Sequence, residues 1–308
     1  MKFIVSFSGG KDSLATLLIV IKNWVKNPVV TFCDTGWEHD KTYQHIEYVE
    51  KELGIKFVWL RSEKWKNFEF LSIKKKRVAS TKARFCTEKL KVEPMIDYVL
   101  SQTESVMIFQ GIRAQESIDR SKMDSQCSYF RYYFEPRKYK CGCPPVILKG
   151  KKKKLHTDKN IKECPNKKPV YDTYRKKDVF AWVKKYSADV NRPIFNWNAN
   201  QVFEFIKENG LQANPLYYEG FSRVGCFPCI MCRHLEIKLI AQKYPDRIEK
   251  IREIESKTGR TFFGKDYIPS KEIAFIDDVV KHVSPDPNQE KLFEENNNSC
   301  QSVYQICE

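Results

Sequence analysis

Short apolar runs alternate with longer helical stretches over the first third of the chain. KFIVSF, NPVVTFCDTG, IKFVWLR and ESVMIFQGIR are rich in β-branched and aromatic residues and end in polar or glycine positions, which reads as four strands. SLATLLIVIKNWV, TYQHIEYVEKELG and EKLKVEPMIDYVLSQ, lying between them, read as helices. The alternation predicts an α/β fold, a parallel sheet with helices on both faces, with ligands at the carboxyl ends of the strands. Three of these strands run into the loops SGGKDS, DTGWEHD and GIRAQES, which would line one edge and build a common site.

The pattern changes after residue 120. Residues 121–189 are basic, rich in Tyr, Pro and Lys, and carry Cys127, Cys141, Cys143 and Cys164, which reads as an insertion into a core made of 1–120 and 190–225. NWNANQVFEFIKENG reads as a helix with an Asn198 cap and a Gly210 stop. Residues 226–284 hold a cysteine cluster and then a helical C-terminal region broken at Pro245, and 285–308 form a polar tail expected to be loose. The chain shows no internal repeat.

SGGKDS sits between an apolar strand and a helix, where glycine lets backbone N–H groups approach a ligand and the helix dipole favours negative charge. Lys11 adds a cation and Ser8 and Ser13 add hydroxyls, so the turn reads as a phosphate site rather than an ordinary connection. Hydrophobic residues make up 42% of the chain and aromatics 13%, which excludes a disordered chain. No run of about 18 apolar residues predicts a membrane span, and the N-terminus reads as a core strand rather than a secretion signal. A cytoplasmic protein is expected, in which eleven cysteines serve as ligands or reactive thiols more readily than as disulfides. The net charge of +15, gathered in clusters such as KKKR at Lys74 and KGKKKKLH around Lys151, raises a polyanionic partner such as nucleic acid.

VGCFPCIMC spaces Cys226, Cys229 and Cys232 so that three thiolates can converge, with Cys86 in RFCTEKLKVEP the candidate fourth. Four thiolates suit a [4Fe–4S] cluster or structural zinc. In the insertion, Cys127, Cys141, Cys143 and Cys164, with His156 in reserve, could hold Zn²⁺, against the plainer reading of free thiols. Trp197, Val202 and Ile206 read as core packing, and His39, His45 and His234 do not stand at metal spacing.

SGGKDS resembles the PP-loop of the adenine-nucleotide alpha-hydrolase superfamily, DTGWE its DTG loop and GIRAQESIDRS its G-[IL]-R-x-x-E-S-x-x-R element. PIFNWNANQVFEFIKENGLQANPLYYEGFSRVGCFPC and FCTEKLKVEP are similar to segments of the phosphoadenosine phosphosulfate (PAPS) reductase family. The resemblance covers most of the chain outside the insertion and tail. It implies that Ser8, Gly9, Gly10, Lys11, Asp12 and Ser13 hold the phosphates or sulfate of an adenine nucleotide, ATP or PAPS/APS. It further implies that Asp34 and Gly36 line the pocket, that Arg113, Glu116 and Arg120 lie over the phosphates, and that Lys11, Asp12 and Arg113 carry the catalysis.

Two departures shape the functional reading. The family's adenylylsulfate reductases have a cysteine pair where this chain has Phe85-Cys86, so Cys232 would restore the four [4Fe–4S] ligands. The assimilatory reductases end in Glu-Cys-Gly-x-His, whereas this tail offers Cys300 and Cys307 in other surroundings. With the basic charge, these departures resemble the DNA phosphorothioation and phage-borne branch. There a substrate oxygen attacks the α-phosphate of ATP, pyrophosphate leaves with Mg²⁺, and sulfur is delivered to the activated atom. Nucleic acid and a sulfur donor, a cysteine desulfurase or thioredoxin, are the implied partners, and no membrane. The alternatives are an assimilatory-type phosphoadenylyl-sulfate or adenylyl-sulfate reductase, and a nucleotide- or nucleic-acid-binding protein without turnover.

Overall fold

In the computed structural model the apolar runs are strands β1 (Lys2–Phe7), β2 (Val29–Cys33), β3 (Phe57–Leu60) and β4 (Val106–Gln110). The residues described are 1–284 except 82, 149–150, 154–155, 158–159, 266 and 270, with the backbone alone for 146–148 and 151–153. The tail at 285–308, with Cys300 and Cys307, lies outside them. Helices α1 (Lys11–Asn23) and α2 (Asp40–Leu53) follow β1 and β2, and α3 (Phe68–Lys74) follows β3. A helical run then leads into β4: α4 (Phe85–Thr87), a π-helical turn Glu88–Val92 and α5 (Glu93–Leu100).

Side chains of each strand alternate between two cores. Val5 and Phe7 of β1 and Phe109 of β4 pack with α1 and α2 on one face, while Ile4, Val106 and Ile108 pack with Met95, Ile96 and Val99 of α5 on the other. Burial on both faces explains why these strands read as near-continuous apolar runs. Helix α1 is buried along Lys11–Val20 because it lies between the sheet and a later helix, Ala199–Glu208.

The remaining elements are α6 (Ile118–Ser121), β5 (Gln126–Ser128), α7 (Arg131–Phe134), β6 (Lys138–Cys141), β7 (Val146–Leu148), β8 (Lys151–Lys153), β9 (Lys167–Val170), α8 (Lys176–Trp182) and β10 (Ala188–Asn191). They are followed by α9 (Ala199–Glu208), α10 (His234–Lys243), α11 (Pro245–Thr258) and α12 (Ile276–Val283). The six-stranded sheet runs in the order β3-β2-β1-β4-β10-β5. Its neighbours are parallel except for the antiparallel edge pair β10–β5. From β1 the chain winds outward through β2 and β3, then returns to the other side of β1 as β4. The point of reversal, between the carboxyl ends of β1 and β4, is where open α/β sheets form their ligand crevice.

The insertion is smaller than its composition suggests. Phe130, Tyr133, Val179 and Trp182 belong to the core beneath α5, so β5, α7, α8 and β10 are built into the main body. The part that stands apart spans the antiparallel pairs β6–β9 and β7–β8. A third core joins Trp37, Phe68, Leu71 and Leu90 to Leu216, Phe221, Ile237, Ile251, Phe262 and Val279, fastening α10–α12 to the sheet's carboxyl edge. As the sequence predicts, Asn198 caps α9 by accepting from the Gln201 N–H at 2.9 Å. Among the described residues no helix is long and apolar enough to cross a membrane.

Candidate active site

The SGGKDS turn brings its backbone to the amino end of α1. Gly9 has φ +81°, a conformation a side chain strains to adopt, and a Cβ there would stand 2.5 Å from Thr42 Cγ2. Gly10 is the extended cap residue, and its carbonyl accepts the first helical bond from Leu14 at 3.1 Å. The Ser13 hydroxyl braces the turn from inside, accepting from the Ser8 N–H (3.1 Å) and donating to the Gly10 carbonyl (2.9 Å). Asn214 Nδ2 donates to the Gly9 carbonyl and to Thr42 Oγ1, both at 3.2 Å, clamping the turn against α2. The Lys11 N–H, one of the unsatisfied donors that open a helix, points at the Tyr217 hydroxyl, 3.1 Å away.

Charge is organised around Asp12, which is fully buried. Its carboxylate accepts Lys11 Nζ at 2.9 Å on one oxygen and Arg113 Nε on the other, so it holds two cations at the loop. Arg113 reaches Asp12 from the loop after β4, where Gly111 passes so close to α1 that a Cβ would lie 2.6 Å from the Asp12 carbonyl carbon and the Ser13 nitrogen. The Arg113 N–H donates to Glu116 at 2.9 Å, and Glu116 pairs with the buried Arg120. Asp34 is tied on three sides: Oδ1 accepts from the Gly36 N–H (2.8 Å) and the Tyr43 hydroxyl (2.9 Å), and Oδ2 accepts from Arg61 Nε (2.7 Å). Arg113 thus joins the third loop to the first through Asp12, and Ser8 and Thr35 bring the first and second to one cleft, with Asp12 and Ser13 serving as internal braces.

A cleft opens beside the turn. Ser8 and Thr35 line it together with Cys86, Cys226 and Cys229, and Arg84, Lys91 and Arg223 supply positive charge. Cys226 is held against the DTG loop, where Thr35 Oγ1 lies 3.6 Å from its sulfur and Phe227 N–H donates to the Trp37 carbonyl at 2.8 Å. Burial pushes the Cys226 thiol up to about 12, with Lys91 opposing and Glu38, Cys229 and Cys86 adding to the rise. Three of the four expected [4Fe–4S] ligands, Cys86, Cys226 and Cys229, thus line one cleft, where a cationic metal–sulfur centre would hold them as thiolates. Cys232 is buried outside the cleft lining, its N–H bonded to the Cys229 carbonyl at 2.9 Å and its carbonyl to the Tyr267 hydroxyl at 2.8 Å.

The ligand set expected in the insertion needs one correction. Cys127 lies on β5, paired in register with Val190 in the main sheet, and its sulfur faces Arg192 at 3.6 Å. The sulfurs that converge are those of Cys141, Cys143 and Cys164, and His156 takes the fourth place. His39 caps α2, His45 is buried and His234 contacts the Tyr267 carbonyl, so none of the three joins a ligand cluster.

Residues that the sequence did not single out complete the site: Tyr217 and Asn214 over the loop, Arg84, Lys91 and Arg223 in the cleft, and Glu38 between them. The buried Glu38 carboxylate accepts from Thr35 Oγ1 (2.7 Å) and the Trp37 N–H (3.2 Å) and lies 3.9 Å from the Cys226 sulfur. Burial raises it above the usual carboxylate range. Glu38 and Tyr217 stand inside the motif segments DTGWE and NPLYYEG, which was the available signal. Arg84 and Arg223 likewise stand inside RFCTEKLKVEP and the segment ending GFSRVGCFPC, but no motif position marks them.

Residues 2–232 match the family model described as phosphoadenosine phosphosulfate reductase domain. An uncharacterized 37.8 kDa protein of Escherichia phage 186 is 29% identical, over 87% of this chain and 80% of its own length. An uncharacterized protein of Methanocaldococcus jannaschii is 30% identical over 80% of this chain, which spans only 40% of that protein. A solved phosphoadenylyl-sulfate reductase of Candida auris, in a phosphate complex, aligns with a TM-score of 0.45 at 15% identity, over 74% of this chain and 83% of its own.

Proposed function

The chain belongs to the phosphoadenosine phosphosulfate reductase domain family, and from that premise we propose that it holds an adenine nucleotide at the SGGKDS turn and uses it for sulfur chemistry in the adjoining cysteine-lined cleft. The observation that carries this reading is a shared wall: Ser8 of the turn lines the same cleft as Cys86, Cys226 and Cys229. Phosphate oxygens at the α1 amino end would accept the N–H groups of the turn and displace the Tyr217 hydroxyl from Lys11. Asp12 would keep Lys11 and Arg113 aimed at them, the preorganisation that stabilises charge as it develops.

The finer reading is an ATP-pyrophosphatase type of sulfur transfer. An acceptor oxygen would attack the α-phosphorus and expel pyrophosphate, whose charge Lys11 and Arg113 would neutralise, with Mg²⁺ adding to this when bound. Sulfide would then attack the activated acceptor atom and expel AMP, which carries the displaced oxygen away. A [4Fe–4S] cluster on Cys86, Cys226, Cys229 and Cys232, when bound, supplies the redox and sulfur-handling capacity. Arg84, Lys91 and Arg223 around the cleft and the net charge of +15 support a polyanionic acceptor, a nucleic acid.

Product analysis tests this. Anaerobically purified protein given ATP, Mg²⁺, sulfide and nucleic acid is expected to release AMP and pyrophosphate together, and Lys11→Ala to slow this by about 100-fold. Cys226→Ser is expected to bind ATP normally and to lose sulfur incorporation. Sulfite released from a sulfonucleotide in the presence of thioredoxin, with no AMP from ATP, would make the protein a reductase. Nucleotide bound without turnover would make it a binding protein.

A further inference from the structure

Among the residues whose side chains are described, the outer part of the insertion has no hydrophobic core of its own. Between Phe134 and Asp178, Cys164 is the one buried residue among those whose side chains are described. Segments of this kind need a staple to order them. At their centre, Cys141, Cys143, His156 and Cys164 offer four ligand atoms that all lie within 4.8 Å of one another. We propose that these four residues form a structural zinc site of the Cys₃His type, separate from the cleft beside the SGGKDS turn.

The spacing identifies the ligand. Tetrahedral zinc with Zn–S bonds of about 2.3 Å and a Zn–N bond of about 2.0 Å sets neighbouring sulfurs about 3.8 Å apart and sulfur to nitrogen about 3.5 Å. Cys141 and Cys143 sulfurs lie 3.5 and 3.6 Å from that of Cys164, and His156 Nδ1 lies 3.6 Å from Cys141. A disulfide would bring two sulfurs to about 2.05 Å, and all of these cysteines are free thiols. An iron–sulfur cluster spreads its cysteines over several irons, whereas these atoms converge on one point.

The backbone also brings these residues together. Gly142 allows the Cys-Gly-Cys turn to close: its N–H bonds the Asn166 carbonyl at 2.9 Å, and a Cβ would meet that oxygen at 2.5 Å. Zinc here would tie β6 to the start of β9 and clasp both ends of the β7–β8 hairpin, since Cys143 precedes it and His156 follows it.

Metal analysis of the full-length protein, purified under conditions that also load iron, tests the proposal. One zinc per chain is expected, retained in Cys127→Ser and in Cys86→Ser/Cys226→Ser and lost in Cys143→Ser/Cys164→Ser. Because the last variant can misfold, cobalt substitution of the wild type gives a second readout: intense visible bands of tetrahedral thiolate-bound Co²⁺ are expected. Zinc surviving Cys143→Ser/Cys164→Ser, iron in place of zinc at these residues, or the weak spectrum of octahedral cobalt would overturn it. These outcomes are independent of whether the protein turns over any nucleotide.

Discussion

A methyl group added at Gly111 would press on the first-turn backbone of α1, and one added at Gly9 would press on Thr42. Both glycines are where they are because the chain comes too close to itself to carry a side chain. Gly111→Ala is therefore expected to push α1 away from Arg113, costing about 1–3 kcal/mol of stability and weakening ATP binding more than that loss alone explains. Denaturant titration and calorimetry on the same variant separate the two effects, and unchanged nucleotide affinity would refute the close-approach argument. His45 offers a pH test. It is buried, and desolvation lowers its imidazole to about 4. The unfolded chain takes up this proton near pH 6.5 and the folded chain does not, so stability is full above pH 6.5 and falls as pH drops towards 4, by about 3 kcal/mol at most. His45→Leu is expected to flatten that part of the stability–pH curve; an unchanged slope would contradict it. SGGKDS was legible because its chemistry is contiguous in the chain. Tyr217 was not, because its role depends on a contact with Lys11 across 206 positions.

At the scale of elements, periodicity and capping found what is long and apolar: β1–β4, α1, α2, α9 and the α10–α11 pair broken at Pro245. They missed β10 and β5, whose sequences ADVN and QCS are short and polar and become strands only because β4 offers an edge to pair with. Composition likewise overstated the insertion, since the lysines flanking α7 and α8 mask the apolar faces that carry Phe130, Tyr133 and Trp182 into the core. The C-terminal helices depend on one buried acid. Glu255 of α11 accepts from the Phe262 N–H at 2.7 Å and the Ile276 N–H at 2.8 Å, joining the start of α12 to α11. Glu255→Ala strands both donors and is expected to lower stability by about 2–4 kcal/mol in urea titrations. A loss within error of zero would mean that α12 is held by its apolar face alone.

For the whole molecule, three cores divide the work. Two clamp the sheet and fix the reversal point between β1 and β4. The third brings the cysteine segment from 188 positions away to the DTG loop, as in the pairing of Glu38 with Cys226. The glycine-rich turn and a cysteine-lined cleft thereby come to lie side by side. The central claim is that this loop grips the nucleotide and the cysteines act on what lies beside it. Calorimetric titration of ATP into wild type, Lys11→Ala and Cys226→Ser tests it most directly. Saturable binding, weakened about tenfold or more in Lys11→Ala and kept in Cys226→Ser, is the expected result; equal affinity in wild type and Lys11→Ala would contradict the account.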